Sequence, residues 1–305
     1  MKILITGGAG YVGYSLVKNL VNSSLEIDQI VIYDSLTRNN FNFFTQEDFR
    51  KKPIKFIKGE ILDSRRLQQA LAGVDIVIHL AARVTTPYAD ADSHFFDQIN
   101  HWGTANVVNA VEESDSVKHF IYLSSMSVYG STENEVDESY EPHPESFYGI
   151  SKYQGEHHVD RLKPTIKTHV FRSGNVYGYN PVMRIDAVFN RFMFEANFSE
   201  RININGDGSQ KRAFIHVEKL ASALIQAIEK ELPTGTYNVA EHNLSVQEII
   251  EEIQELYPEL ETIFVSKNMR MREIQAVNPA KIWSYLELPQ KSISEELKEF
   301  KQAFA

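Results

Sequence analysis

Lys2-Ile3-Leu4-Ile5-Thr6-Gly7-Gly8-Ala9-Gly10-Tyr11-Val12-Gly13-Tyr14-Ser15-Leu16 is the stretch from which the fold can be read. Ile3-Leu4-Ile5 has no polar alternation, as expected of a strand covered on both faces. A helix follows over Tyr11–Val21, with Val12, Leu16 and Leu20, and Val17 and Val21, at helical spacing. Between them Gly7, Gly10 and Gly13 are spaced G-x-x-G-x-x-G. The first glycine permits a tight turn, the second lets backbone approach a pyrophosphate, and the third lets helix and strand pack closely. The helix start offers unpaired N–H groups and the positive end of its dipole to phosphate. Ile30–Tyr33 reads as the second strand, and Asp34 closes it, about 20 residues past the last glycine. A carboxylate there accepts from ribose hydroxyls and repels a 2′-phosphate, which favours NAD over NADP. Arg38 would neutralise that phosphate and keeps NADP open. A ligand-free turn with Asp34 as a loop cap is the bland alternative; the strand–loop–helix context favours the ligand.

Working outward, strands are expected at Ile54–Ile57, Val74–Leu80, His119–Ser124 and Thr168–Arg172. Helices are expected at Ser64–Leu71, Asn100–Val111 and Pro144–Leu162, the last stopped by Pro164. Alternating strands and helices predict an α/β chain with a Rossmann-type, doubly wound parallel sheet. After residue 173 the pattern weakens. Helices fit Asp186–Glu195, Val217–Glu231 and Val246–Leu256, and short strands fit Arg201–Ile204, Thr236–Val239 and Thr262–Val265. This predicts a smaller α+β region on the sheet edge, with the chain crossing more than once. The division is 1–173 plus crossing segments near 206–240, against 174–305, mainly 174–205 and 241–305. Ser131–Glu145 is acidic and turn-rich and reads as a surface loop.

Composition bounds the function. The chain has 305 residues, 43% hydrophobic and 24% charged, which excludes disorder and fibrous repeats. Thirty-one Lys and Arg against 41 Asp and Glu leave a net charge of −10, which argues against nucleic acid or an anionic membrane as partner. The absence of cysteine excludes disulfides, thiolate catalysis and Cys-ligated metal. Ten histidines give no metal pattern; adjacent His157 and His158 point about 100° apart on a helix, so no metal is expected. Ile3–Ile5 is far shorter than the roughly 7–15 apolar residues of a secretory signal, and the expectation is a cytoplasmic protein with no membrane span.

Tyr148 and Lys152 are i and i+4, on one face of their helix. A tyrosine ionises near pH ~10, and a lysine ammonium one turn away stabilises the phenolate, so Tyr148 can serve as a general base. Alone, the pair is equally compatible with a packed Tyr and a solvated Lys. Ser124-Ser125 closes the fifth strand, where open α/β sheets place ligands. Ser125 can hold the oxygen that Tyr148 deprotonates, or cap the strand end.

With these pieces the chain resembles an extended short-chain dehydrogenase/reductase of the NAD-dependent nucleotide-sugar epimerase/dehydratase family, UDP-glucose 4-epimerase-like. The matching residues are Gly7–Gly13, Asp34, Gly59–Asp63, His79–Ala82, Asn100 with Thr104, Leu123–Gly130, Tyr148–Lys152 and Asn175–Gly178. Gly206–Gly208 through Arg212, Phe214–Val217 and Tyr237–Val239 complete the set, in family order. The resemblance implies a Rossmann domain holding NAD and a C-terminal domain holding a nucleotide diphosphate sugar, UDP-, dTDP- or GDP-linked. It implies Ser125, Tyr148 and Lys152 as catalytic residues. Around the cofactor it implies Gly7, Gly10, Tyr11, Val12, Gly13, Asp34, Glu60, Ile61, Leu80, Ala81, Ala82, Asn100 and Ser124, together with Tyr148 and Lys152. For the substrate it implies Ser125, Asn175, Arg212 and Arg270. Relatives often dimerise through helices near Asn100–Val111 and Pro144–Leu162, so a homodimer is expected. Val107, Val108, Val111 and Val159 would serve that bundle or face the sheet.

Dehydratases of this family carry Asp and Glu directly after the Ser/Thr, because losing water needs an extra acid and base. Met126 and Ser127 stand there. Sugar 4,6-dehydration is therefore disfavoured; Asp34 and the Ser-Ser-x-x-Val-Tyr-Gly pattern favour epimerisation, usually at C4 in the resembled family, over net NAD(P)-dependent reduction or oxidation, and the presence of Tyr148 and Lys152 speaks against a catalytically idle NAD-binding module. Arg83 follows His79-Leu80-Ala81-Ala82 and is expected to meet an acidic sugar, a phosphate or a nearby Asp. Glu60 replaces the family's usual Asp beside the adenine, and Ala213 and Lys219 replace acids common in the family.

Overall fold

The computed structural model describes residues 1–45, 47–84, 93–265 and 273–304. Its first half runs β1 (Lys2–Thr6), α1 (Tyr11–Asn22), β2 (Gln29–Asp34), β3 (Ile54–Lys58), α2 (Ser64–Ala70) and β4 (Ile76–His79). It continues through α3 (Ser93–Phe96), α4 (Gly103–Glu112), β5 (His119–Ser125), β6 (Glu135–Val136), α5 (Phe147–Val159) and β7 (Lys167–Ser173). The second half runs β8 (Asn175–Tyr177), α6 (Val188–Ser199), β9 (Arg201–Asn205), β10 (Lys211–His216), α7 (Val217–Glu229) and β11 (Gly235–Val239). Then come β12 (His242–Ser245), α8 (Val246–Leu256), β13 (Glu261–Val265), β14 (Gln275–Ala276) and α9 (Ile293–Gln302).

Seven strands form one sheet in the order β11-β7-β5-β4-β1-β2-β3, every pairing parallel. The order reverses between β1 and β4, and such a switch point opens a crevice at the strands' C-terminal ends. Neighbouring residues of one strand serve opposite cores. Ile3, Ile5, Ile30 and Ile32 pack with α1 and α7, whereas Leu4 and Val31 pack with α2, α4 and α5. That two-sided burial is why these strands lack polar alternation.

Val107, Val108, Val111 and Val159 are buried in the second of these cores beside Phe120, so they face the sheet. The helix expected over Asn100–Val111 begins with π-helical turns at Asp97–Trp102, and only Gly103 onward is α-helical. The helix expected from Pro144 starts at Phe147, where Ser146 caps it by accepting from the Gly149 N–H at 3.0 Å. A third core joins Tyr177, Phe189, Phe192, Ile202, Phe214, Ile249 and Phe300 from the later elements. There the three-stranded sheet β12-β10-β8 and α9 were not legible in advance; β8 is only three residues long and β10 carries no clean alternation. Capping boxes at Ser245/Glu248 and Ser292/Glu295 start α8 and α9. Among the described residues, no helix is long and apolar enough to cross a membrane.

Candidate active site

The C-terminal ends of β1, β2, β4 and β5 open into a cavity of about 1100 Å³ that reaches across to β8 and β10. Gly7 turns the chain out of β1 at φ +72°, and a Cβ there would lie 2.6 Å from the Ala81 backbone nitrogen. The loop after β4 passes directly over the glycine turn. Gly10, Tyr11, Val12 and Gly13 line the same wall at the start of α1. The Asp34 carboxylate accepts from the backbone N–H of Ala9 at 3.0 Å and of Leu36 at 2.8 Å. Burial pushes its pKa up, and the two amides oppose this. Glu60, Ile61, Leu80, Ala81, Ala82 and Ser124 also line the cavity. A glycine cradle in which Gly7 and Gly13 have no room for a Cβ, a helix start for a pyrophosphate and a carboxylate for a ribose together fit NAD.

Ser125, Tyr148 and Lys152 converge on one stretch of the wall. Ser125 ends β5, and its Oγ accepts from the Ser127 N–H at 3.2 Å. Tyr148 lies on the wall beside Ser125, and its ring meets Phe96 edge-on at 6.2 Å. Burial pushes the phenol pKa up; Ser125 and the positive charge of Arg184 pull it down. Lys152 lies one turn on, 2% exposed, with Nζ 4.1 Å from the centre of the Tyr122 ring. Burial lowers its ammonium pKa to about 7, against the pull of Glu156. This environment puts a tyrosine and a titratable cation beside the cofactor half of the cavity, the arrangement general-base chemistry needs.

Asn100 is not on the cavity wall. Fully buried, its side chain accepts from the Arg83 N–H at 2.7 Å and donates to the Arg83 carbonyl at 2.8 Å and Ser151 Oγ at 3.0 Å. The π-helical turn thus clamps the loop over the cofactor region rather than facing it. Beside it His79 bonds Thr6 Oγ1 at 2.6 Å and Thr104 Oγ1 at 3.0 Å, and burial lowers its pKa to about 3, so the ring is neutral.

On the far side Asn175 and Arg212 line the cavity; Asn175 donates to the Ala213 carbonyl at 3.1 Å. Arg83 is exposed, also lines the cavity, and carries its guanidinium 5.8 Å from the centre of the Phe95 ring. Arg270 lies outside the described residues. Sequence reasoning missed Arg184 and Asp186, which line the cavity as an ion pair at 2.5 Å. Their charges act on Arg38, and that of Arg184 also on Tyr148. An Arg-x-Asp spacing in an irregular loop was the only available signal. Lys219, a departure from the family pattern, is buried and pairs with Glu241 and, at 2.9 Å, with Glu296 of α9.

A model of the NAD dependent epimerase/dehydratase family matches residues 3–240. The chain is 31% identical over 264 residues to dTDP-D-glucose 4,6-dehydratase of Mus musculus, covering 85% of this chain and 73% of that protein. It is 30% identical over 233 residues to a putative UDP-glucose 4-epimerase of Methanocaldococcus jannaschii, covering 74% and 73%. Among solved structures, MoeE5 in complex with UDP-glucuronic acid and NAD superposes with a TM-score of 0.84 at 25% identity over the full length of both chains. The UDP-glucuronic acid 4-epimerase of Bacillus cereus in complex with NAD gives 0.84 at 25% identity, covering 99% and 96%. The chain belongs to the NAD-dependent epimerase/dehydratase family, with NAD as its cofactor.

Proposed function

We propose that the protein epimerises a UDP-linked sugar at C4, with Tyr148 as the base. The observation that carries this is the convergence of Ser125, Tyr148 and Lys152 on the cavity wall with no carboxylate at the next two positions. Tyr148, as phenolate, takes the proton of the sugar hydroxyl while Ser125 holds the same oxygen, and Lys152 supports the phenolate charge. NAD supplies reversible hydride acceptance when bound, held by the glycine loop and Asp34. Once the ketosugar has turned over in the pocket, with the opposite face of its carbonyl carbon open to the returning hydride, Tyr148 would give the proton back to the same oxygen. Asn175 and Arg212 hold the nucleotide diphosphate. Arg83 and Arg184, on the same cavity, suit a sugar bearing a carboxylate, as in the UDP-glucuronic acid complex of MoeE5.

Dehydration would need an acid and a base beyond Tyr148. Met126 is buried and Ser127 bonds Ser125. Among the described residues the cavity's carboxylates are Asp34 and Glu60 at the cofactor end and Asp186 on Arg184. The likeness in sequence to dTDP-glucose dehydratases therefore supports the shared opening step rather than the elimination. The working assembly is proposed to be a homodimer in the cytoplasm.

The test is to denature the purified protein, assay released NAD and NADP, and incubate the native protein with UDP-glucose, UDP-glucuronic acid, dTDP-glucose and a GDP-hexose, separating products by chromatography. Retained NAD, no net NADH and an interconverted C4 epimer are expected. A 4-keto-6-deoxy product, or stoichiometric NADH released with an oxidised sugar, overturns the epimerase reading.

A further inference from the structure

Glu156 lies one turn beyond Lys152 on α5 and is 4% exposed. Its carboxylate is held from two strands. Arg172 of β7 donates through Nη2 at 2.6 Å and through Nε at 3.1 and 3.2 Å, and Ser124 of β5 donates its hydroxyl to the same group. Ser124 and Arg172 are register partners across β5 and β7, each immediately before a residue of the cavity wall, Ser125 and Ser173. Arg172 also donates to the Tyr129 hydroxyl at 2.9 Å, and Tyr129 donates to Asn238 of β11 at 2.7 Å. One carboxylate therefore ties the helix carrying Tyr148 and Lys152 to the strand end carrying Ser125.

A buried ion pair is weak evidence for stability, because apolar residues of similar volume serve as well. What Glu156 has that an apolar residue lacks is charge beside Lys152. The Lys152 ammonium lies over the Tyr122 ring of β5, acts on neutral His79 of β4 and feels Glu156 of its own helix, with Tyr148 one turn before it in sequence. Arg172 of β7 reaches only the Glu156 side of this set in the hydrogen-bond pattern. Among these, Glu156 is the one anion.

We propose that Glu156 is a positioning residue for the reaction: through Ser124 and Arg172 it holds the helix carrying Tyr148 and Lys152 against the Ser125 strand end, and it sets a negative charge one turn from Lys152, without touching the sugar. Burial alone drives the Lys152 ammonium toward the neutral form, and Glu156 is the group that opposes it. The proposal rests on Tyr148 being the base.

The experiment follows tyrosinate absorbance against pH in the NAD-loaded protein, taking the difference between wild type and Tyr148→Phe. The same difference is recorded in Glu156→Gln and Glu156→Asp backgrounds. Because Glu156→Gln leaves the Arg172 guanidinium buried without its carboxylate, Glu156→Gln with Arg172→Met is measured alongside. Tyr148 is expected to ionise at higher pH in Glu156→Gln and in the paired variant, with Glu156→Asp restoring most of the wild-type position. Turnover at neutral pH should fall about tenfold, the equivalent of one pH unit, with KM nearly unchanged. Unshifted Tyr148 ionisation in the paired variant overturns the role of Glu156. A wild type in which Tyr148 does not ionise ahead of the other tyrosines overturns the base assignment, and this proposal with it.

Discussion

Replacing Gly10 and Gly13 separately by alanine should produce two different failures. A Cβ on Gly13 would stand 2.6 Å from Gly7 O, Gly8 Cα and Gly8 O, all backbone atoms. None of these can rotate away, so α1 must back off the loop by most of an ångström. That movement strains the bond from Gly7 N to Tyr33 O at 2.9 Å and lifts Leu16, Val17 and Leu20 from a core in which they are fully buried. Overpacking of this kind costs about 1–3 kcal/mol, which for a chain of this size lowers Tm by about 2–5 °C. A Cβ on Gly10 meets only Gly7 O, at 3.1 Å, and its φ of −80° is open to any residue. Its stability loss should stay below about 1 kcal/mol, the range of a helix-cap change. Gly10 lines the cavity, however, and a methyl there displaces the pyrophosphate from the helix start. If that displacement costs 1–3 kcal/mol, NAD affinity falls by about 5- to 150-fold. Calorimetric titration of NAD into the stripped protein measures one quantity, and scanning calorimetry of the same samples the other. Equal Tm losses in the two variants, or wild-type NAD affinity in Gly10→Ala, would refute the assignment of distinct roles.

Tyr148→Phe keeps the ring against Phe96 and removes only the hydroxyl, so turnover should fall about 10²- to 10⁴-fold with NAD content unchanged; full activity sinks the base assignment. Acid should destabilise the fold. Burial lowers the pKa of His79 and His119 to about 3 and of His169 and His216 to about 4, so below pH 6.5 the unfolded chain binds protons that the folded one refuses. Stability is then lost as pH falls toward those values, about 2 kcal/mol per histidine between pH 7 and pH 5. Asp34 and Glu296, whose pKa burial raises, act in the opposite sense but only nearer the carboxylate range. Urea unfolding with the same midpoint at pH 7 and pH 5 would contradict this. Lys219→Met leaves Glu241 and Glu296, with side chains 8% and 1% exposed, without their cation. The loss should be about 3–5 kcal/mol, or about 5–8 °C in Tm, read by scanning calorimetry.

Much of the Rossmann half was legible because β1, β2 and β4 are built on apolar runs and α2 and α5 open on the side-chain caps Asp63 and Ser146. The cofactor half of the site was legible for a related reason: its glycine turn and Asp34 lie at set distances from one another within one βαβ unit. Asn100 marks the limit. Its place in the sequence could be recognised, but the π-helical turn that aims it at the Arg83 backbone depends on how two neighbouring elements pack.

What the sequence by itself determined is the parallel sheet, the glycine cradle, the carboxylate after β2 and the Tyr148–Lys152 spacing, since each follows from local periodicity or from residues on one helix. Only the tertiary structure decided which charges face one another. The Glu156–Arg172–Ser124 cluster joins residues from α5, β7 and β5, Arg184 reaches Tyr148's field from an irregular loop, and Lys219 finds its counter-charge on a helix far along the chain. Coulomb energy depends on distance and burial through space, and neither can be read from spacing along the chain once the partners sit on separate elements.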